Sequence, residues 1–185
     1  MRIQKPDCDA RIESPEGITV KERQRRGRLT GMKASELFFR IRRDLEDLSE
    51  YTSRIEEERL IRAGDPPGAL AYLGDYNYTT LVEIRNRDGI SPDFEIDSAI
   101  VDEFQHELDR YLDTYAPGAV DLKRYVLNIS LYLTFIAKKP LHPPEVPFSE
   151  DILIVKKGKF FYCSGKRRFI GDVPSLCRYC VCRPQ

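Results

Sequence analysis

The chain has 185 residues, 41% of them hydrophobic, and 30 Lys and Arg balance 30 Asp and Glu. That length and composition suit one substantial core with appendages. They exclude a membrane span: the most apolar run, Val126 to Ala137, is well short of the roughly 20 apolar residues a crossing needs. Met1 to Thr30 is polar and charged, with no apolar leader, so a soluble cytoplasmic protein is expected.

Residues 1–31 lack hydrophobic periodicity and carry Pro6, Pro15, Gly17, Gly27 and Gly31 around a charge run from Lys21 to Arg28. They read as a mobile basic extension, and an upstream start codon is one origin for it. Cys8, in this extension, reads as a free thiol. The folded body is expected from Met32. Ser35 is placed as a helix N-cap, and Leu37, Phe38, Ile41, Leu45, Leu48 and Ile55 recur at helical spacing. One amphipathic helix, or two, should end by Gly64, before the D-P-P-G turn at Asp65 to Gly68.

Between Ala69 and Arg87 the pattern is ambiguous. A-L-A-Y-L suits a helix, while Y-N-Y-T-T-L-V-E-I is rich in β-branched and aromatic residues; helices on both sides favour helix. After a loop near Gly89 to Asp93, the stripe Val101, Phe104, Leu108, Tyr111 and Tyr115 predicts a helix from Asp97 to Tyr115. The next helix, from Pro117 or Ala119 to Lys139, is apolar nearly all round at Val126, Leu127, Ile129, Leu131, Leu133, Phe135 and Ile136, the pattern of a central buried helix. Pro140, Pro143, Pro144 and Pro147 then form a stiff linker. The expectation is a mainly α protein: a helical bundle over 32–139, followed over 140–185 by linker, β-hairpin and a Cys-rich metal-binding tail. The hairpin is placed at Asp151 to Val155 and Lys159 to Cys163, around Lys157 and Gly158.

Four of five cysteines, Cys163, Cys177, Cys180 and Cys182, fall in the last 23 residues as C-x13-C-x2-C-x-C. In a reducing compartment, clustered thiols read as metal ligands or redox groups rather than disulfides. C-x2-C is the spacing of a zinc knuckle, in which both sulfurs reach one ion. After Cys163 the partner position of such a pair holds Lys166, so Cys182 is the expected fourth ligand, with His142 and Cys8 as alternatives. C-x2-C-x-C also suits an iron–sulfur cluster. Zinc as a structural staple is the leading expectation, and an iron–sulfur protein with a redox or accessory role is the alternative.

Charge is uneven: Lys and Arg against Asp and Glu number 8 and 5 in residues 1–31, 14 and 24 in 32–151, and 8 and 1 in 152–185. A basic tail of Lys156, Lys157, Lys159, Lys166, Arg167, Arg168, Arg178 and Arg183 can track a phosphate backbone, contact an acidic protein, or dock on its own acidic body. His106 has carboxylates at helical spacing but reads as part of a solvated helix face. Tyr72, Tyr76, Tyr78, Tyr111, Tyr115, Tyr125 and Tyr132 read as core and rim. No phosphate loop, G-x-S-x-G elbow or H-E-x-x-H motif occurs, so a non-enzymatic role is favoured.

At K-P-L-H-P (139–143), Phe148, Tyr162, Cys163, Lys166 and S-L-C-R-Y-C-V (175–181), the chain resembles an uncharacterised archaeal family, found largely in methanogens: domain-of-unknown-function family twenty-one fifteen. The resemblance starts at M-K-A-S-E-L (Met32) and is most specific at Cys163, Cys177 and Cys180. The chain departs from the family pattern at Ser164 and Gly165, where a Pro follows the first cysteine, and after Phe148, where that pattern has glycines. The resemblance implies an anaerobe-compatible, methanogen-like setting and no particular activity.

Overall fold

The computed structural model describes residues 31–61, 68–144, 146, 152–172 and 175–185. Of the expected extension over 1–31, all but Gly31 lies outside them, Cys8 included, as do Gly64 to Pro67, Pro147, Phe148 and Asp151. The fold is mainly helical, with two small sheets. Strand β1 (Gly31–Lys33) pairs antiparallel with β2 (Glu95–Asp97), Met32 opposite Ile96. Each strand runs straight into a helix, α1 (Ala34–Glu46) and α4 (Ser98–Tyr115), so the pairing sets these two helix starts side by side.

Ser35 is not the N-cap. Lys33 is, its N–H accepted by the Glu36 carboxylate at 3.2 Å. Ser35 sits inside the first turn, where its N–H and hydroxyl both donate to Asp93, at 3.0 and 2.7 Å. A distant carboxylate thus satisfies the orphan donor that a serine cap would have taken. Ala34, Leu37, Phe38, Ile41 and Leu45 form the buried stripe of α1. The helical pattern breaks after Glu46, and α2 (Ser49–Ile61) follows, mostly exposed, its buried Thr52 accepting from Arg85 at 2.7 Å.

The ambiguous segment is helical, α3 (Ala69–Asn86). Tyr76, Thr80, Leu81 and Ile84 share one face, and the hydroxyls of Thr79 and Thr80 donate to carbonyls four residues back. Burial of that face overrides β propensity. In α4 the buried stripe is Val101, Phe104, Leu108 and Leu112. Tyr111 and Tyr115 were expected on it but are exposed, their rings tilted against each other with centroids 4.6 Å apart. Their hydroxyls favour water, and Leu112, with no polar atom, takes the inward place.

Helix α5 (Val120–Leu131) continues into a π-helical segment, Tyr132–Ala137, which ends at Lys138 in the left-handed region, φ 53°. Asn128 to Ile136 is buried without interruption. This is the central helix, touching α1, α3 and α4. Its Tyr132 hydroxyl donates to Glu83 at 2.9 Å and accepts from Arg87 at 3.0 Å, while Lys139 reaches the other Glu83 oxygen at 2.6 Å.

Beyond the linker, β3 (Ile154–Lys157) and β4 (Phe160–Cys163) form the expected hairpin, Lys157 opposite Phe160. Gly158 takes φ 60° at the turn, the positive φ a two-residue hairpin loop demands. A short helix, α6 (Lys166–Phe169), and a 3₁₀ turn, Leu176–Arg178, precede β5 (Arg183–Pro184). Strand β5 lies parallel to β4, giving the order β3-β4-β5.

Candidate functional site

The tail brings Cys163, Cys180 and Cys182 together at one end of this sheet. Cys163 closes β4, and Ser164 and Gly165 turn the chain so that the N–H groups of Gly165 and Lys166 point at its sulfur. A side chain at Gly165 would meet Ile152 at 3.1 Å, so the turn needs glycine for close packing. Ser175 caps the 3₁₀ turn, accepting from Cys177 N–H at 3.1 Å. That turn carries Cys177 and leads to Cys180. Pairing of β5 with β4, Tyr162 opposite Arg183, then holds Cys182 beside Cys163, both buried.

The tail is pinned to the helical body from the same turn. The Tyr179 ring meets Phe104 edge-on at 5.2 Å, and Phe104 meets Phe135 edge-on at 5.5 Å. Arg178 pairs with Glu103 at 3.1 Å and Glu107 at 3.4 Å, so one cation of the basic tail does dock on the acidic α4. Tyr76 donates to the Pro140 carbonyl at 2.9 Å, fixing the start of the linker.

Electrostatics tie the sulfurs together. Cys180 is lowered to about 6, chiefly by a hydrogen bond from Cys182, then by the N–H groups of Leu141 and Cys182 and the charge of Lys166, against the opposing effect of burial. Cys182 is raised because it holds the proton shared with Cys180, because it is buried, and because Cys180 and Cys163 are negative neighbours. Burial raises Cys163, as do the charges of Cys180 and Cys177, against its two N–H donors. Burial and the charges of Cys180, Glu83 and Cys182 raise Tyr76, placing it against the cluster. Lys166 is itself buried and donates to the Cys180 carbonyl at 2.6 Å, a cation inside a group of thiols.

Of the four expected ligands, Cys180 and Cys182 are hydrogen-bonded to each other, and Cys163 is within electrostatic reach of Cys177, Cys180 and Cys182. In these side-chain positions, among the described residues, no three His, Cys, Asp or Glu converge as a metal-holding group. His142 is partly buried, and burial holds its imidazole below the ordinary value. It follows Leu141, whose N–H reaches Cys180. His106 is exposed on α4, and the seven singled-out tyrosines are spread over α3, α4, α5 and the π segment. The two best-defined concavities lie elsewhere, about 50 Å³ between α1 and α3 and an open one of about 330 Å³ at the start of α5. Sequence reasoning missed the buried ammonium of Lys166 and the Leu141 N–H. Lys166 at the vacant knuckle position was the one available signal.

A mainly helical body with a small C-terminal sheet, on which Cys163 and Cys182 are buried, is the class these features define. The family model described as "Uncharacterized protein conserved in archaea (DUF2115)" matches residues 43–185, and the chain belongs to that family. A UPF0305 protein of Methanocaldococcus jannaschii is 34% identical over 164 residues, covering 82% of this chain and 96% of the relative. One from Methanococcus maripaludis is 25% identical over 160 residues, covering 82% and 97%. Another, from Methanothermobacter thermautotrophicus, is 32% identical over 87 residues, covering 46% and 53%. No solved structure matches the chain significantly.

Proposed function

We propose that the protein is a non-enzymatic metal-binding protein in which Cys163, Cys177, Cys180 and Cys182 hold a structural zinc ion, and that this staple supports a basic surface used to contact a partner. The observation that carries the reading is the backbone: N–H groups of Gly165 and Lys166 aim at Cys163, and those of Leu141 and Cys182 at Cys180. Such donors stabilise thiolates, the form that ligates metal. The donor set fits zinc, since four soft sulfurs and a nearby lysine ammonium leave a modest residual charge. A cation would replace the proton that Cys182 now shares with Cys180, relieving the repulsion that raises Cys163. Zinc here supplies charge neutralisation and a fixed anchor; because the tail buries little apolar surface, its binding energy becomes folding energy for the segment around it.

Metal analysis of anaerobically purified protein tests this. One zinc per chain, with the four thiols slow to react with a thiol reagent until chelator is added, is the expected result. A brown protein with iron and acid-labile sulfide would convert the reading to an iron–sulfur protein with a redox or accessory role. Four fast-reacting thiols and no metal would overturn both.

A further inference from the structure

The two faces of the C-terminal sheet differ. Side chains alternate across a strand, and Ile154, Phe161 and Cys163 face the thiol side, where Ile154, Cys163 and Cys182 form a small buried cluster with Phe161 packed on it. The register sets Val155 opposite Tyr162, Lys157 opposite Phe160, and Arg183 opposite Tyr162. These five residues therefore share the other face. On it, cations lie over rings: the Arg183 guanidinium is 3.5 Å from the Phe160 centroid, Lys157 Nζ 5.6 Å from Tyr162, and Lys159, from the turn, 5.4 Å from Phe160. Lys157, Lys159 and Arg183 are exposed, and the two rings are half-exposed. The charged side chains placed on this face and its turn, Lys157, Lys159 and Arg183, are all cations, and from Ile152 to Gln185 the sequence holds one acid, Asp172, against eight Lys and Arg.

We infer that this face binds single-stranded nucleic acid, with Tyr162 and the Arg183 guanidinium plane stacking bases and Lys157, Lys159 and Arg183 contacting phosphates. The inference rests on the reading of the tail as a partner-binding element. Partly exposed rings between cations match a strand of unpaired bases, in which π faces and charges alternate. A duplex hides its bases, and strands of only four residues form a platform of roughly 13 Å rather than an element that enters a groove. An acidic peptide would use the charges and leave the rings without a role.

Fluorescence anisotropy with the full chain as purified, using single-stranded oligonucleotides of about 12 nucleotides and the matching duplex, reads the site. Binding at about 20 mM salt that weakens with salt, and is at least roughly tenfold tighter for the single strand, is expected. Tyr162→Leu should weaken it about tenfold with little change in salt dependence, since one stacked base is lost. Lys157→Gln with Lys159→Gln, both outside the thiol cluster, should lower the log–log salt slope by about 1.4, roughly 0.7 for each phosphate contact on a single strand. Equal metal content and tail hydrogen-exchange protection establish that the variants fold. No binding at low salt, equal affinity for duplex or polyglutamate, or variants that bind like the parent would overturn the proposal. Protein without metal that still shows the single-strand preference upholds this face and removes the zinc reading; fully metallated protein that does not bind does the reverse.

Discussion

The helical body and the tail solve the same folding problem with different materials. Among the described residues the body gathers twenty buried apolar side chains into one cluster, whereas the tail's own cluster is Ile154, Cys163 and Cys182. Burial of apolar surface can hold the first. The second depends on strand pairing, on thiol chemistry, and on Leu176 and Tyr179, which leave the tail to pack against the body's core. Order that stands on few apolar contacts is the first to open locally.

Phe104→Ala should act on both regions at once, because the ring touches Phe135 in the body and Tyr179 in the tail. A loss of about 3–5 kcal/mol in urea unfolding is expected, with reduced exchange protection around Leu176 to Tyr179. A loss confined to the body would show that the tail stands without this ring. Tyr132→Phe acts in the body alone. It leaves Arg87 and Glu83 without their shared hydroxyl and should cost about 1–3 kcal/mol, with tail protection unchanged.

Two smaller effects sharpen the boundary. Burial depresses His142 below 6.5, so the unfolded chain takes up its proton first as pH falls. The contribution is complete above 6.5 and declines as pH drops from there towards the native value, by at most about 1.4 kcal/mol per pH unit. Urea midpoints at two pH values, one on each side of 6.5, should therefore separate more in the parent than in His142→Asn. Equal separations would place His142 in an environment no less hydrated than the unfolded chain. Arg178→Gln removes the exposed pair with Glu103 and the partly buried one with Glu107 and should cost about 1 kcal/mol. Its mark should be faster exchange in the tail at low salt, fading as salt screens the parent's pairs.

The body was largely legible because helical stripes of apolar residues are local signals. Leu37 to Leu45 and Val101 to Leu108 needed only their spacing, and the nearly all-apolar stretch from Val126 correctly marked the central helix. The first turn of α1 was misread at Ser35 because its capping carboxylate, Asp93, is 58 positions away. For the same reason Glu83, Arg87, Tyr132 and Lys139 looked like separate surface and core residues. In the tail, the hairpin and the clustering of cysteines followed from turn chemistry and composition. Strand β5 did not, since two residues ending in Pro184 carry no periodicity and gain their strand character only from β4.

The pairing of β1 with β2 also bears on the order in which the molecule assembles. Lys33 meets Glu95 across 62 positions, and the first helix packs on α5 at still greater separation. The hairpin partners Lys157 and Phe160, by contrast, are nearly adjacent in the chain. Closing long loops is entropically slow before contacts reward it. The hairpin therefore closes a short loop and should form faster than the core, in which the first helix docks on the central one across a long stretch of chain.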